Sequence, residues 1–455
     1  MELKGEGKDI DGTVYHRRVL SLAPKSGDRI RVMTYNVLAD IHVEKYLFPH
    51  NAPQDLDKIS RMEKIGEEIG RFAPDIICLQ ELQETEVEKY TKLESLVNFG
   101  HVFIARPPYE QPKPFAEGSA IFFDKSKFSL VKAHKLMLKM LPEVYDSEDV
   151  FSKEMIKSCV VAITILETKK GLFPEEGSPL RIAALSTHLP FNKNCGHVKL
   201  GVVALIMKTL ARLKEKFKFS DIFLCGDFNF VPRSGLYNYV VNKRLDLSVD
   251  LREFSNQNYA EMILKSKGPE ICFVEGDRRY EPYLKEKKPR VSSEFYEILV
   301  GIEPIIDEQE LIRFVPDQKK NGKKKGSGQK DGGLKVSEDA LVELSESLGF
   351  GSAYACVRNA LIRLLLPDSK LIQYKLDPNE FENDVFFSFY GDSMKLAIDY
   401  IFFAKKGKLR PIRVLDVPDY KWLVSQNKTC PFGPFGSDHF SLVVDFELKP
   451  SLPEP

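Results

Sequence analysis

Eight polar residues sit at the ends of the chain's apolar runs, or inside them: Asn36, Glu81, His188, Asp227, Asn229, Asp399, Asp438 and His439. Glu81 and Asn36 together offer one carboxylate and one neutral oxygen. Such a set suits a hard cation that keeps several waters, and magnesium, with manganese as a substitute, binds through one or two carboxylates plus a substrate phosphate. Zinc fits badly, because the sequence has neither a cysteine cluster nor a multi-histidine cluster. Asp227 and Asn229 are two residues apart, so a continuing strand turns both to one side. One can take a proton from water while the other holds that water or the developing phosphate oxyanion. His439 can donate to a phosphate oxygen, with Asp399 locking its tautomer and favouring its charged form.

Singly, each residue has a plainer reading. Asp399, inside LAIDYIF, reads alone as a buried hydrogen-bond partner, and a lone histidine such as His188 at a strand end reads as structural. It is the combination that points to a site.

The elements that must position these groups are legible from periodicity. Arg31–Val37 reads as a strand delivering Asn36 near its end. From Lys58 to Phe72, apolar Ile59, Met62, Ile65, Ile69 and Phe72 recur every three or four residues, predicting an amphipathic helix that Pro74 stops. DIICLQE then reads as a strand whose last residue is Glu81. Further strands are expected at 119–124, 159–166, 181–189, 221–229, 396–405 and 440–448, with a helix whose face holds Val203, Ile206, Leu210, Leu213 and Phe217. Gly226, just before Asp227, allows close approach of a substrate or a partner chain. Many strands flanked by helices imply an α/β architecture of layered sheets.

Composition narrows the function classes. Over 455 residues, 43% are hydrophobic and 29% charged, which excludes collagen-like, coiled-coil and wholly disordered chains. The 66 basic and 66 acidic residues cancel, so a nucleic-acid partner is met by a local patch or a metal site. The seven cysteines include no close pair, and Cys78 and Cys225 fall within apolar runs as reduced core thiols. With no signal-peptide pattern in MELKGEGKDIDG, an intracellular protein is expected, cytoplasmic rather than nuclear. A membrane role is not expected, since no run approaches the roughly 20 apolar residues of a span.

Residues 1–29 read as an N-terminal extension and 30–450 as one catalytic domain with an insertion around 250–345. Within it, DQKKNGKKKGSGQKDGGLK at 317–335 has almost nothing to bury and is expected to be a mobile loop. The next stretch, SEDALVELSESLGF, fits a helix capped by Ser337 and ended by Gly349.

With these residues in place, the chain resembles the endonuclease/exonuclease/phosphatase superfamily, in the branch of nocturnin, the carbon-catabolite-repressor deadenylases and the Angel proteins. The matching stretches include RVMTYNVLAD, PDIICLQE, GSAIFF, FLCGDFNFVPRSGLY, LAIDYIFF and GPFGSDHFSL, in the family's order. THL followed by FNKNCGHVKL resembles the Angel form. The resemblance implies a two-sheet α/β sandwich with the site at the strand ends. It implies that Glu81 holds the metal with Asn36 nearby and Asp438 beside the metal-water network. Asp227 would activate or orient water, Asn229 would stabilise the phosphate, and His188 and His439, the latter paired with Asp399, would contact phosphate. Lys193 and Asn194 stand where the Angel form carries two arginines, and lysine lacks arginine's bidentate fork. Residues 157–159 likewise depart from an asparagine common in relatives.

The activity implied is magnesium-dependent hydrolysis at RNA 3′ ends, removing a terminal 2′,3′-cyclic phosphate. A 3′-to-5′ exoribonuclease or poly(A) deadenylase is the alternative, followed by a small-molecule phosphatase on a nucleotide phosphoester and a binding protein built on the same fold. Tyr109, Phe115 and Phe191 are candidate base-stacking residues.

Overall fold

The computed structural model describes residues 16–22, 28–106, 116–138, 159–192, 195–232, 234–247, 293–306, 310–316, 330–365, 384, 387–391 and 395–450. In chain order the strands are β1 (Val19–Ser21), β2 (Ile30–Asn36), β3 (Ile76–Gln83), β4 (Phe99–Ala105), β5 (Glu117–Asp124), β6 (Phe128–Met137), β7 (Val160–Thr168), β8 (Arg181–His188), β9 (Asp221–Asp227), β10 (Ile302–Ile305), β11 (Leu311–Pro316), β12 (Phe350–Ser352), β13 (Phe389–Tyr390), β14 (Lys395–Leu396), β15 (Asp399–Ala404), β16 (Leu409–Leu415) and β17 (Leu442–Leu448). They form two large sheets, ordered β1-β16-β17-β2-β3-β5-β4 and β10-β11-β6-β7-β8-β9-β15-β12, and the small pair β13-β14. The principal helices are α1 (Lys58–Phe72), α2 (Gly196–Phe217), α3 (Ser293–Val300), α4 (Lys330–Leu348) and α5 (Ala353–Leu365).

The sheets pack face to face. Ile77, Cys78 and Val444 of the first meet Phe223, Cys225 and Ile401 of the second in one buried cluster, and the Phe223 and Phe446 rings lie 4.6 Å apart. Cys78 and Cys225 are the buried thiols expected. Each fully buried apolar side chain of this kind is worth about 1.5–3 kcal/mol, which is why the sandwich can hold polar groups at its rim. A second cluster lies outside the second sheet, where Val203, Ile206, Leu210 and Leu213 of α2 join Leu341 and Leu348 of α4.

Helix α1 begins with Asp57 accepting from the Ser60 N–H at 2.9 Å and ends in left-handed Ala73, one residue before Pro74. Its buried face carries Ile65, Ile69 and Phe72 as predicted, but Ile59 is 60% exposed. The apolar stripe therefore starts one turn later than its spacing suggested.

Four further differences have local causes. Strand β3 runs past Glu81 to Gln83 by taking a bulge between Leu79 and Leu82, with Glu81 at φ +57°. The run 396–405 divides into β14 and β15 at Ala397–Ile398. Helix α4 starts at Lys330, inside the stretch expected to be a loop, and Ser337 is buried in it rather than capping it. Gly349 does end that helix, at φ +61° with its N–H on the Ser345 carbonyl. Residues 317–329 and 250–292 lie outside the described residues. Within the expected N-terminal extension, β1 adds an edge strand beside β16, and within the insertion β10 and β11 add the opposite sheet's edge beside β6.

Candidate active site

Strand register assembles the site. In the second sheet Asp227 is the direct partner of His188 on parallel β8 and of Asp399 on antiparallel β15, so three chemical groups share one row. In the first sheet, parallel β2 and β3 bring Asn36 opposite Gln80, and the bulge that follows swings Glu81 toward the same rim. A non-glycine residue in the left-handed region is uncommon and held only where its surroundings demand it. Here the demand is visible: Glu81 Oε1 accepts from Asn36 Nδ2 at 3.0 Å, and Oε2 accepts from the Ala39 N–H at 3.0 Å. Gly226 at φ +150° lets β9 lie so close to β8 that a Cβ would fall 2.0 Å from the Thr187 oxygen. The neighbour it admits is protein backbone.

Asn36 ties the halves together. Its Nδ2 donates to Glu81 and also to Asp227 Oδ2 at 3.1 Å, while its Oδ1 accepts from the Leu38 N–H at 3.0 Å. An amide facing two carboxylates must present its nitrogen, so Asn36 spaces the two acids, and its oxygen is engaged by backbone. Asn229 does not continue the strand. It turns into the left-handed region at φ +49°, its N–H on Asp227 Oδ1 at 3.0 Å and one amide hydrogen on the Leu189 carbonyl at 3.0 Å.

His439 Nδ1 lies 2.8 Å from Asp399 Oδ2, and Ser388 Oγ donates to that same oxygen at 2.6 Å. His439 Nε2 faces Asp227 Oδ2 at 3.8 Å, and His188 Nε2 approaches it at 3.5 Å. His188 Nδ1 stands 3.9 Å from Glu81 Oε1. All are buried or nearly so.

These environments separate the groups by charge. Burial works against a charged His439, yet Asp399, then Asp227 and Asp438, raise it to about 10, so it is an imidazolium at neutral pH. Burial, with Arg106 adding to it, depresses His188 to about 3 and keeps it neutral. Glu81 is held down at about 2 against its burial by His188, His42 and the Asn36 hydrogen bond. Asp227 is pushed up to about 8 by burial and by Asp399. Burial also raises Asp438 to about 6, with Glu81 adding to the rise and His439 opposing it.

Among the described residues, Asp227, Asp399 and His439 bring one ligand atom each within 4.8 Å of one another, a cluster able to hold a metal ion. A protonated histidine has no lone pair for a metal, so while His439 is charged it pairs with Asp399 through Nδ1 and faces Asp227 with Nε2. Glu81, Asp227 and Asp438 supply carboxylate oxygens beside this trio, and burial is the main cause of the raised Asp227 and Asp438, with Glu81 adding to both.

Several contributors were missed in the sequence. Lys199, fully buried on α2, donates from Nζ to the Asn229 carbonyl at 2.6 Å, and a lone lysine within the apolar run HVKLGVVALIM was its signal. Arg106, paired with Glu117 at 2.8 Å, bears electrostatically on His188. His42 does the same for Glu81 and His188. Phe389 is half-buried with its ring 5.1 Å from that of His439. Cys159, pushed up to about 11 by burial, donates to the His188 carbonyl at 3.3 Å. Of the stacking candidates, Phe191 is 66% exposed, while Tyr109 and Phe115 lie outside the described residues, as do Lys193 and Asn194.

No family model matches the chain. It is similar to the crystal structure of ANGEL2, a 2′,3′-cyclic phosphatase, in complex with adenosine-2′,3′-vanadate, with a TM-score of 0.62 and 20% identity over 95% of this chain and 98% of that one. In sequence it is 32% identical over 221 residues to Protein angel homolog 2 of Danio rerio, covering 47% of this chain and 36% of the relative. The chain thus shares the fold of ANGEL2 and resembles Protein angel homolog 2 in sequence.

It is also similar to 2′,5′-phosphodiesterase 12 of Homo sapiens, 26% identical over 50% of this chain and 38% of the relative. CCR4-NOT transcription complex subunit 6-like of Danio rerio is 25% identical over 93% of this chain and 63% of that protein. The chain thus spans between about a third and two thirds of the length of these curated relatives. The two-sheet α/β sandwich expected from the superfamily is the fold observed. Among the described residues no helix is long and apolar enough to cross a membrane.

Proposed function

We propose that the chain is a magnesium-dependent phosphoester hydrolase acting at RNA 3′ ends, where it removes a terminal 2′,3′-cyclic phosphate. The observation that carries this reading is the Asn36 amide bridging Glu81 and Asp227, which sets an acid for a cation beside an acid for water. Likeness to ANGEL2, itself a 2′,3′-cyclic phosphatase, supports the cyclic end as substrate.

Glu81 and Asp438, with Asn36 holding Glu81 in place, would hold magnesium, and manganese would substitute. When bound, the ion would neutralise phosphate charge and favour the ionised forms of the carboxyls around it. Asp227 takes the proton of an attacking water at Oδ2, the oxygen that Asn36 and His188 face. The His439 imidazolium donates its Nε2–H to a phosphate oxygen while Asp399 stabilises the charge. Neutral His188 and the remaining Asn229 amide hydrogen add hydrogen bonds without charge. Lys193, five residues after His188 in the sequence, would be a further substrate contact.

Opening the ring adds one water across one P–O bond and leaves a phosphomonoester. A second water displaces phosphate and leaves the 2′,3′-diol.

A second reading, 3′-to-5′ exoribonuclease or deadenylase, is favoured by the likeness to the CCR4-Not complex 3′-5′-exoribonuclease subunit Ccr4 of Schizosaccharomyces pombe. Matched short RNAs ending in cyclic phosphate or in hydroxyl separate the two: phosphate released at constant length supports the first, and a ladder from the hydroxyl end supports the second.

A further inference from the structure

Helix α1 carries two charged residues on its buried face. Arg61 is 3% exposed, and its Nη1 donates to the Leu38 carbonyl at 2.8 Å, to Gly436 at 3.2 Å and to Val37 at 3.3 Å. Val37 and Leu38 lead out of Asn36, and Gly436 lies two residues before Asp438. Two turns along the same face, Glu68 Oε1 accepts from Ser441 Oγ at 2.6 Å and from Arg17 Nη1 at 2.9 Å. Arg17 Nη2 also donates to the Ser441 carbonyl.

The two side chains therefore grip segment 436–441 at both ends, with Asp438 and His439 between them. The approach is close: a Cβ on Gly436 would lie 2.4 Å from the Arg61 carbonyl oxygen and 2.8 Å from Ile65 Cγ1. Ser437 Oγ completes the arrangement by donating to the Asn36 carbonyl at 2.7 Å.

We infer that Arg61 is a positioning residue that fixes the separation between the Asn36–Glu81 side of the site and the Asp438–His439 side, with Arg17–Glu68 anchoring the far end of the same segment. Three carbonyls from two loops converge on one guanidinium, so neither loop can shift without breaking a buried charge-assisted hydrogen bond. Site geometry must hold to about half an ångström to be productive, and a rigid helix crossing both loops supplies that. The inference rests on the proposed magnesium-dependent hydrolysis.

The test uses the full chain with Arg61→Met, which keeps bulk and removes the donors, and Arg61→Lys, which restores charge and some donors. Magnesium binding by calorimetry is read beside kcat and KM, all well below the melting temperature of each variant. Arg61→Met is expected to weaken magnesium binding and lower kcat by about tenfold or more each, with KM changed by less than about threefold. Arg61→Lys should recover a clear part of both losses. Should Arg61→Met fail to fold, Arg61→Lys and Ser437→Ala carry the same comparison, and both should show smaller losses of the same kind. Magnesium affinity and kcat equal to wild type in folded variants would overturn the clamp. A wild-type chain that binds no magnesium would instead overturn the metal reading on which the clamp stands.

Discussion

Asp399 lies directly opposite Asp227 on the neighbouring antiparallel strand, and it is Asp399 that has the histidine. One carboxylate of the facing pair is thus matched by the His439 charge while the other is left to rise to about 8. One site thus holds both a charged hydrogen-bond donor, His439, and a carboxyl with a raised proton affinity, Asp227.

Replacing Asp399 by Asn should weaken the hold on the His439 proton. Because the imidazolium is the active form, activity should fall off at lower pH in Asp399→Asn than in wild type. A pH–rate profile checks this; an unmoved alkaline limb would remove His439 from the role of charged donor.

Asp227→Asn should lower kcat by about 10²-fold or more, because the amide cannot accept the proton of water. Burial already disfavours the ionised form, so the neutral isostere should not destabilise the metal-free fold, and above pH 8 it should melt no lower than wild type. A melting temperature far below wild type would make Asp227 a structural residue.

Magnesium should raise the melting temperature more at pH 8 than at pH 5. The folded-state value of Asp227 is raised from 3.8 to about 8 and that of Asp438 to about 6. Their ionisation therefore costs stability progressively as pH rises from about 4 through 8, and an added cation offsets that cost. At pH 5 both hold protons that magnesium must displace. Thermal melts with magnesium and with chelator at the two pH values decide it, and equal shifts would contradict the assignment of Asp438 to the cation with Asp227 beside it.

The fold was legible where periodicity alone determines an element. Lys58–Phe72 and the apolar runs ending at Asn36, His188 and Asp227 needed only the apolar spacing and the positions of polar residues. What escaped depends on partners distant in sequence. The Glu81 bulge exists because β3 must satisfy β5 on one side and offer a carboxylate to Asn36 on the other. The Asn229 turn depends on Leu189 and Lys199, and the place of Arg17 on Glu68 and Ser441. Arg61 and Glu68, charges on an otherwise apolar helix face, were visible in the sequence, but not the loops they hold.

Glu81→Gln keeps shape and loses charge, so magnesium affinity and turnover should fall together. Titrating magnesium against rate checks this, and a variant with wild-type activity at unchanged magnesium demand would take Glu81 out of the metal site.

The most direct measurement is product analysis on one short RNA prepared with a 2′,3′-cyclic phosphate, a 3′-phosphate or a hydroxyl end, with magnesium present or chelated. The cyclic-ended RNA should lose phosphate and keep its length only when magnesium is present, and the hydroxyl-ended RNA should persist. Fragments shortened by successive nucleotides from the hydroxyl end, appearing faster than phosphate from the cyclic end, would contradict the account.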